Sequence, residues 1–223
     1  MTASPPSAVP KTESPEDILD ALLFSVSHDL RSPLLTLSLS AELIRESVDA
    51  AGDANGIDQA GNTAVALDAL KQGAEDLERM LSALTTVSRA RRREQEIRTL
   101  PVRVLLGGHV VSSNVEHPEG LTVRVDATPV RELIDRLCGE DPAEIRLGRT
   151  DTHVILRIPS RADLPVLDGS PLIALARSLQ LWAGTIVEDL ASLQLQLARQ
   201  AVPMELADGA VYVWLPVSAG SSR

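Results

Sequence analysis

The stretch Phe24-Ser25-Val26-Ser27-His28-Asp29-Leu30-Arg31-Ser32-Pro33-Leu34 sets an imidazole beside a carboxylate in the middle of an amphipathic run. Around it, Leu19, Leu22, Val26, Leu30, Pro33, Leu37, Ala41, Ile44 and Val48 recur at three- and four-residue steps, the period of a helix with one buried stripe. His28 stands two residues from Val26 and two from Leu30. Two residues of helix turn through about 200°, so the ring is expected to face water. Pro33 offers no amide hydrogen to the carbonyl of Asp29, four residues back, and its ring crowds that carbonyl, so a bend is expected beside the histidine. Asp29 is placed to hydrogen-bond one ring nitrogen and leave the other as a nucleophile, the arrangement that covalent catalysis uses. Taken alone, His28 also reads as an ordinary solvent-facing helix histidine.

Working outward, Ser14-Pro15-Glu16-Asp17 supplies a cap, a first-turn proline and two acids at the positive helix end, so the first helix is expected from there to about Ala51. Gly52, Asp53, Asn55, Gly56 and Gly61 then read as a loop. A second helix is expected from about Asn62, with a seam of Leu67, Leu70, Ala74, Leu77, Leu81, Leu84 and Val87. Two such helices leave much apolar surface open, so the hairpin is expected to pair with a second copy as a four-helix bundle. Residues 1–14, rich in Pro, Ser and Thr, read as a disordered leader, without the basic start or apolar run of a signal peptide or membrane span.

From about Leu100 the texture changes. Alternating segments at Leu121 to Val125, Glu144 to Leu147 and Val154 to Ile158, with helix-like stretches at Pro129 to Cys138 and Pro171 to Trp182, make the chain α+β. Leu190 to Ala198 fits both a strand, through Leu193, Leu195 and Leu197, and a helix, through Leu190, Leu193 and Leu197.

Composition narrows the function classes. The 223 residues are 44 % apolar but only 2 % aromatic, so aliphatic side chains must do the packing, as suits helix bundles. A net charge of −10 argues against a nucleic-acid partner, which needs a basic face. The one basic cluster, Arg89, Arg91, Arg92 and Arg93, falls at a predicted helix end, where cations complement the dipole; a docking patch for an acidic protein is the other reading. Cys138, the single cysteine, excludes an internal disulfide and a multi-cysteine zinc site, and suits the cytoplasm. On its apolar stretch it reads as a small core residue. His109, His117 and His153 lack metal-ligand spacing.

The segment from His28 to Pro33 resembles the phosphoacceptor box of two-component sensor histidine kinases: His, then Glu or Asp, then Leu, a basic residue, any residue and Pro. The resemblance implies that His28 carries a phosphoryl group and that Asp29 is its orienting acid/base. It also implies that residues 15–96 form a dimerisation and phosphotransfer hairpin. The order of segments over 100–218, with Gly184-Thr185-Ile186-Val187 and Val211 to Pro216 near the end, looks like that family's ATPase α/β sandwich, in degenerate form. Arg136 and Glu140 stand where two asparagines hold metal and phosphate. Ser160 stands where an aspartate reads adenine, and Gly169 to Ala174 carries Pro171 and Ile173 in place of glycines.

A retained box with erased nucleotide motifs resembles histidine phosphotransferases of phosphorelays. That implies a cytoplasmic homodimer that binds no cofactor, takes phosphoryl groups from response-regulator receiver domains, and relies on Mg²⁺ brought by the receiver. Arg31, Ser32, Leu34 and Leu35 are the expected partner-binding residues, Arg31 being equally well a solvated charge. Three other functions stay open: a receiver phosphatase using Asp29 and Ser32, a pseudokinase scaffold, and a divergent sensor histidine kinase.

Overall fold

The computed structural model describes residues 9–11, 14–50, 56–113, 115, 118–139, 142–160 and 183–218. The architecture is α+β: three N-terminal helices followed by a mixed sheet with helices against it. Helix α1 is Pro15–Asp29, α2 is Arg31–Ala50 and α3 is Gly56–Arg92. The start of α1 follows its signals, for Ser14 is the N-cap and its hydroxyl accepts from the Asp17 amide at 3.0 Å. The expected single helix to Ala51 is instead two helices, divided at Leu30 where Pro33 withholds its amide. Gly56 and Gly61, expected in the loop, lie inside α3.

The inner face of the hairpin also differs from the expected stripe. Ile18, Ser25, Asp29, Pro33 and Ser40 are buried, Leu19, Val26, Leu30, Leu37 and Ile44 are half-buried, and Ala41 and Val48 are exposed. The cause is close helix approach. A Cβ at Gly73 of α3 would meet Leu37 and the Pro33 carbonyl, each at 3.4 Å, so the line of contact runs through small residues such as Ser40, Ala66 and Gly73. Leucine bulk is rotated outward.

Among the described residues, the further elements are β1 (Arg98–Pro101), α4 (Val102–Leu106), β2 (Val110–Ser113), a 3-10 turn at Pro118–Gly120, β3 (Thr122–Val125), α5 (Ala127–Cys138), β4 (Glu144–Arg149), β5 (His153–Pro159), α6 (Ile186–Ala198), β6 (Met204–Ala207) and β7 (Ala210–Pro216). Strands β1 and β3 pair antiparallel, and a five-stranded sheet runs β2-β4-β5-β7-β6 with only β2 and β4 parallel. Leu147, Leu156, Val213 and Met204 face one another across its four adjacent strands. These residues join Leu133, Ile134 and Leu137 of α5 and Leu190, Leu193 and Leu197 of α6 in the main core. Strand β7 is buried on both faces; Tyr212 and Trp214 fill the other side with Ile155.

Helix α6 resolves the ambiguous segment, and Ile186 and Val187 are its first turn after the Thr185 N-cap. Ten of its thirteen residues are buried because one face packs on the sheet and another on α1 and α3. Leu190, Leu193 and Leu197 enter the sheet core, while Val187, Ala191, Leu195 and Ala198 pack with Ile18 of α1 and Met80, Ala83, Val87 and Ala90 of α3. Polar bonds close this joint. Arg199 Nη1 donates to the Ala90 carbonyl at 3.2 Å and the Arg93 carbonyl at 2.8 Å, satisfying acceptors that the end of α3 leaves open. Arg93 Nη1 donates to Gln196 Oε1 at 2.7 Å, so this member of the basic cluster anchors α3 to α6.

Candidate functional site

His28 and Asp29 are the last two residues of α1. Leu30 follows with helical dihedrals, its amide bonded to the Val26 carbonyl at 3.2 Å, and α2 begins at Arg31. The two side chains diverge: His28 is 74 % exposed and Asp29 9 %. His28 Nδ1 lies 2.9 Å from Asp29 Oδ1. An ionised carboxylate offers only acceptors, so this contact suits the tautomer protonated at Nδ1, in which the lone pair sits on Nε2 at the exposed edge of the ring. On the inner side, Ser25 Oγ donates to Asp29 Oδ2 at 3.0 Å, and Ser25 is fully buried. Asp29 is thus buried at the end of α1 with Ser25 on one carboxylate oxygen and His28 on the other. Sequence reading missed Ser25. Its signal was the four-residue spacing to Asp29, which stacks the two side chains on one helix face.

Arg31 and Ser32 are exposed in the first turn of α2, and Leu34 and Leu35 are 51 % and 56 % exposed. Leu35, Leu39 and Leu43 follow His28 at seven-, four- and four-residue steps, and all three are exposed. His109 Nδ1 accepts from the Ala143 amide at 3.2 Å. His153 Nδ1 bonds Thr152 Oγ1 at 2.8 Å, and partial burial pushes its basicity down. Cys138 is buried in the main core. His117 lies outside the described residues. Among the described residues no cluster of three or more His, Cys, Asp or Glu is placed to hold a metal ion, and no helix is long and apolar enough to cross a membrane.

Of the positions compared with a nucleotide site, Glu140 and Gly169 to Ala174 lie outside the described residues. Arg136 pairs with Asp189 at 3.4 Å across an open cleft of about 420 Å³ that Gly184, Thr185, Ile186 and Glu188 also line. The start of α6 faces this cleft with the Val187 and Glu188 amides and the preceding Gly184 amide already engaged. Thr185 Oγ1 accepts from Val187 N at 3.2 Å, and Glu188 Oε2 accepts from Gly184 N at 2.8 Å. Two carboxylates in that first turn oppose a phosphate there.

Fold and site thus define an α+β protein with a surface imidazole held by a buried carboxylate. No family model matches the chain, and no curated protein matches it. Among solved structures, an Acinetobacter baumannii histidine kinase, AdeS, is similar at 11 % identity over 86 % of this chain and 97 % of that one, with a TM-score of 0.31. A bacterial phosphotransferase solved at 1.7 Å is similar at 15 % identity over 93 % of this chain and all of that one, also with a TM-score of 0.31.

Proposed function

We propose that this chain is a histidine phosphotransferase of a two-component phosphorelay, in which His28 takes a phosphoryl group from one response-regulator receiver domain and passes it to another. The observation that carries the proposal is the exposed ring of His28 with Nδ1 engaged by buried Asp29, within the box that resembles a kinase phosphoacceptor. Nε2 attacks the phosphorus of an aspartyl phosphate; the P–N bond forms as the P–O bond breaks, and the receiver's carboxylate leaves as an anion. The ring becomes cationic, protonated at Nδ1 and phosphorylated at Nε2, and Asp29 offsets that charge. Attack by a second receiver's carboxylate reverses the displacement. Mg²⁺ in the receiver's acidic pocket neutralises the phosphoryl oxygens.

Two further features support this role. Arg31, Ser32 and Leu35 border the ring for a docking receiver, with Leu34 roughly 100° further round. Exposed Leu67 and Leu81 on α3, at 52 % and 55 %, suit pairing of two hairpins as a four-helix bundle. The sheet-bearing region, residues 100–218, serves as a platform that binds no nucleotide, as the blocked α6 start and the replaced motif residues suggest.

The test is transfer of labelled phosphate from a panel of phosphorylated receiver domains, each with Mg²⁺. Wild type should become acid-labile phosphoprotein and pass the label on, and His28→Ala should do neither. Relay by the His28→Ala protein would overturn the proposal, whereas its retaining receiver dephosphorylation alone would favour the phosphatase. Saturable Mg-ATP binding with self-labelling would restore the sensor kinase.

A further inference from the structure

We infer that Ser25 is a positioning residue for His28, acting through Asp29 to set which ring nitrogen is the nucleophile; its use in phosphotransfer rests on the function proposed above. Asp29 is almost wholly withdrawn from water, so its two oxygens depend on protein donors for the solvation they lose. Oδ2 receives the Ser25 hydroxyl at 3.0 Å and Oδ1 faces His28 Nδ1 at 2.9 Å. Ser25 is 0 % exposed, so water does not replace its hydroxyl unless the hairpin opens. The hydroxyl does two things. It fixes the rotation of the carboxylate about its Cβ–Cγ bond, which aims Oδ1 at the ring, and it stabilises the ionised form, the only one that accepts from Nδ1–H without competing as a donor.

The chain's geometry makes this more than local packing. Ser25, Asp29 and His28 run from the sealed inside of the hairpin to its surface, so a group that never meets a partner controls one that does. An alanine at position 25 would favour the helix itself while leaving a carboxylate oxygen with fewer donors. Asp29 would then rotate or take up a proton, and Nδ1–H would lose its acceptor.

The experiment is long-range ¹H–¹⁵N NMR of the imidazole in the full chain, without any receiver, for wild type, Ser25→Ala and Ser25→Thr, with His28 assigned by the His28→Ala spectrum. Wild type should show His28 predominantly as the Nδ1–H tautomer. Ser25→Ala should shift the tautomer ratio by about tenfold toward Nε2–H, the scale of a lost charge-assisted hydrogen bond, and Ser25→Thr, which keeps the hydroxyl, should restore it. A wild-type tautomer unchanged in Ser25→Ala overturns the inference, as does a wild type that is mainly Nε2–H. Phosphoramidate, a small-molecule donor, then reports nucleophilicity: its rate of labelling His28 should follow the Nδ1–H population across the three proteins. A tautomer response without transfer between receivers would sink the phosphorelay and leave the role of Ser25 standing.

Discussion

The helical and sheet-bearing regions sort their residues in opposite ways. In the sheet, strands β4, β5 and β7 send alternate aliphatics into a closed core, with Leu156, Val213 and Leu215 at 0 % exposure. In the hairpin, Leu23, Phe24, Leu39 and Val65 are 61–70 % exposed, while Ser25, Asp29 and Ser40 are inside. A lone chain gains nothing from exposing so many large apolar groups. The difference teaches that burial in the sheet region follows apolarity, whereas the hairpin interior is given over to close approach and to holding one carboxylate, with its large apolar groups left on the outside.

The sharpest way to break that comparison is truncation on each side. Leu156→Ala should cost about 2–5 kcal/mol in urea unfolding, because it opens a cavity in a core already closed. Leu39→Ala in the hairpin should stay within about 0.5 kcal/mol in a monomeric sample. Equal losses would mean that the hairpin face is covered by the chain itself. Next in size is the effect on association. If exposed Leu67 and Leu81 form a seam between two copies, Leu67→Ser with Leu81→Ser should weaken the dimer by more than about tenfold in sedimentation equilibrium, since burying each leucine is worth about 1.5–3 kcal/mol. Unchanged association would place any dimer contact elsewhere.

The smallest effect is a pH dependence on the sheet side. Burial lowers the affinity of His153 for a proton relative to its ordinary value of 6.5, so the unfolded chain binds more protons there and stability falls as the pH drops through 6.5. His153→Gln should flatten that part of a thermal-melting profile between pH 7 and pH 5. A profile of unaltered slope would remove His153 from the account.

Much of this sorting was legible in the sequence, and the illegible parts share a cause. Ser14, Pro15 and Asp17 announced the start of α1, Pro33 announced a bend beside His28 though not a division into two helices, and alternation found β3, β4 and β5, whereas the stretch of β7 stood out only through the family resemblance. These signals are local, carried by dihedral restriction or by a single buried face. The hairpin interior was misread because apolarity was taken to mark the inside, while closeness of approach at Gly73 selected serine and alanine. Helix α6 stayed ambiguous because both its faces are buried, which erases the helical period. Strands β1 and β2, Arg98–Pro101 and Val110–Ser113, lack the alternation that marks β3 at the same four-residue length. In the candidate site, His28 and Asp29 stood out as a dipeptide, but the donor behind them did not, because a serine on a helix carries no mark of what it holds.

The double burial of α6 has a consequence for how the molecule comes apart. One row of its side chains completes the sheet core and another completes the packing of α1 and α3, so neither region keeps a whole interior once this helix leaves. Loss of α6 would strip Arg199 from the end of α3 and Leu190, Leu193 and Leu197 from the sheet together. The protein is therefore built to melt as one cooperative unit, with a single calorimetric transition, although its helical and sheet-bearing regions have separate cores.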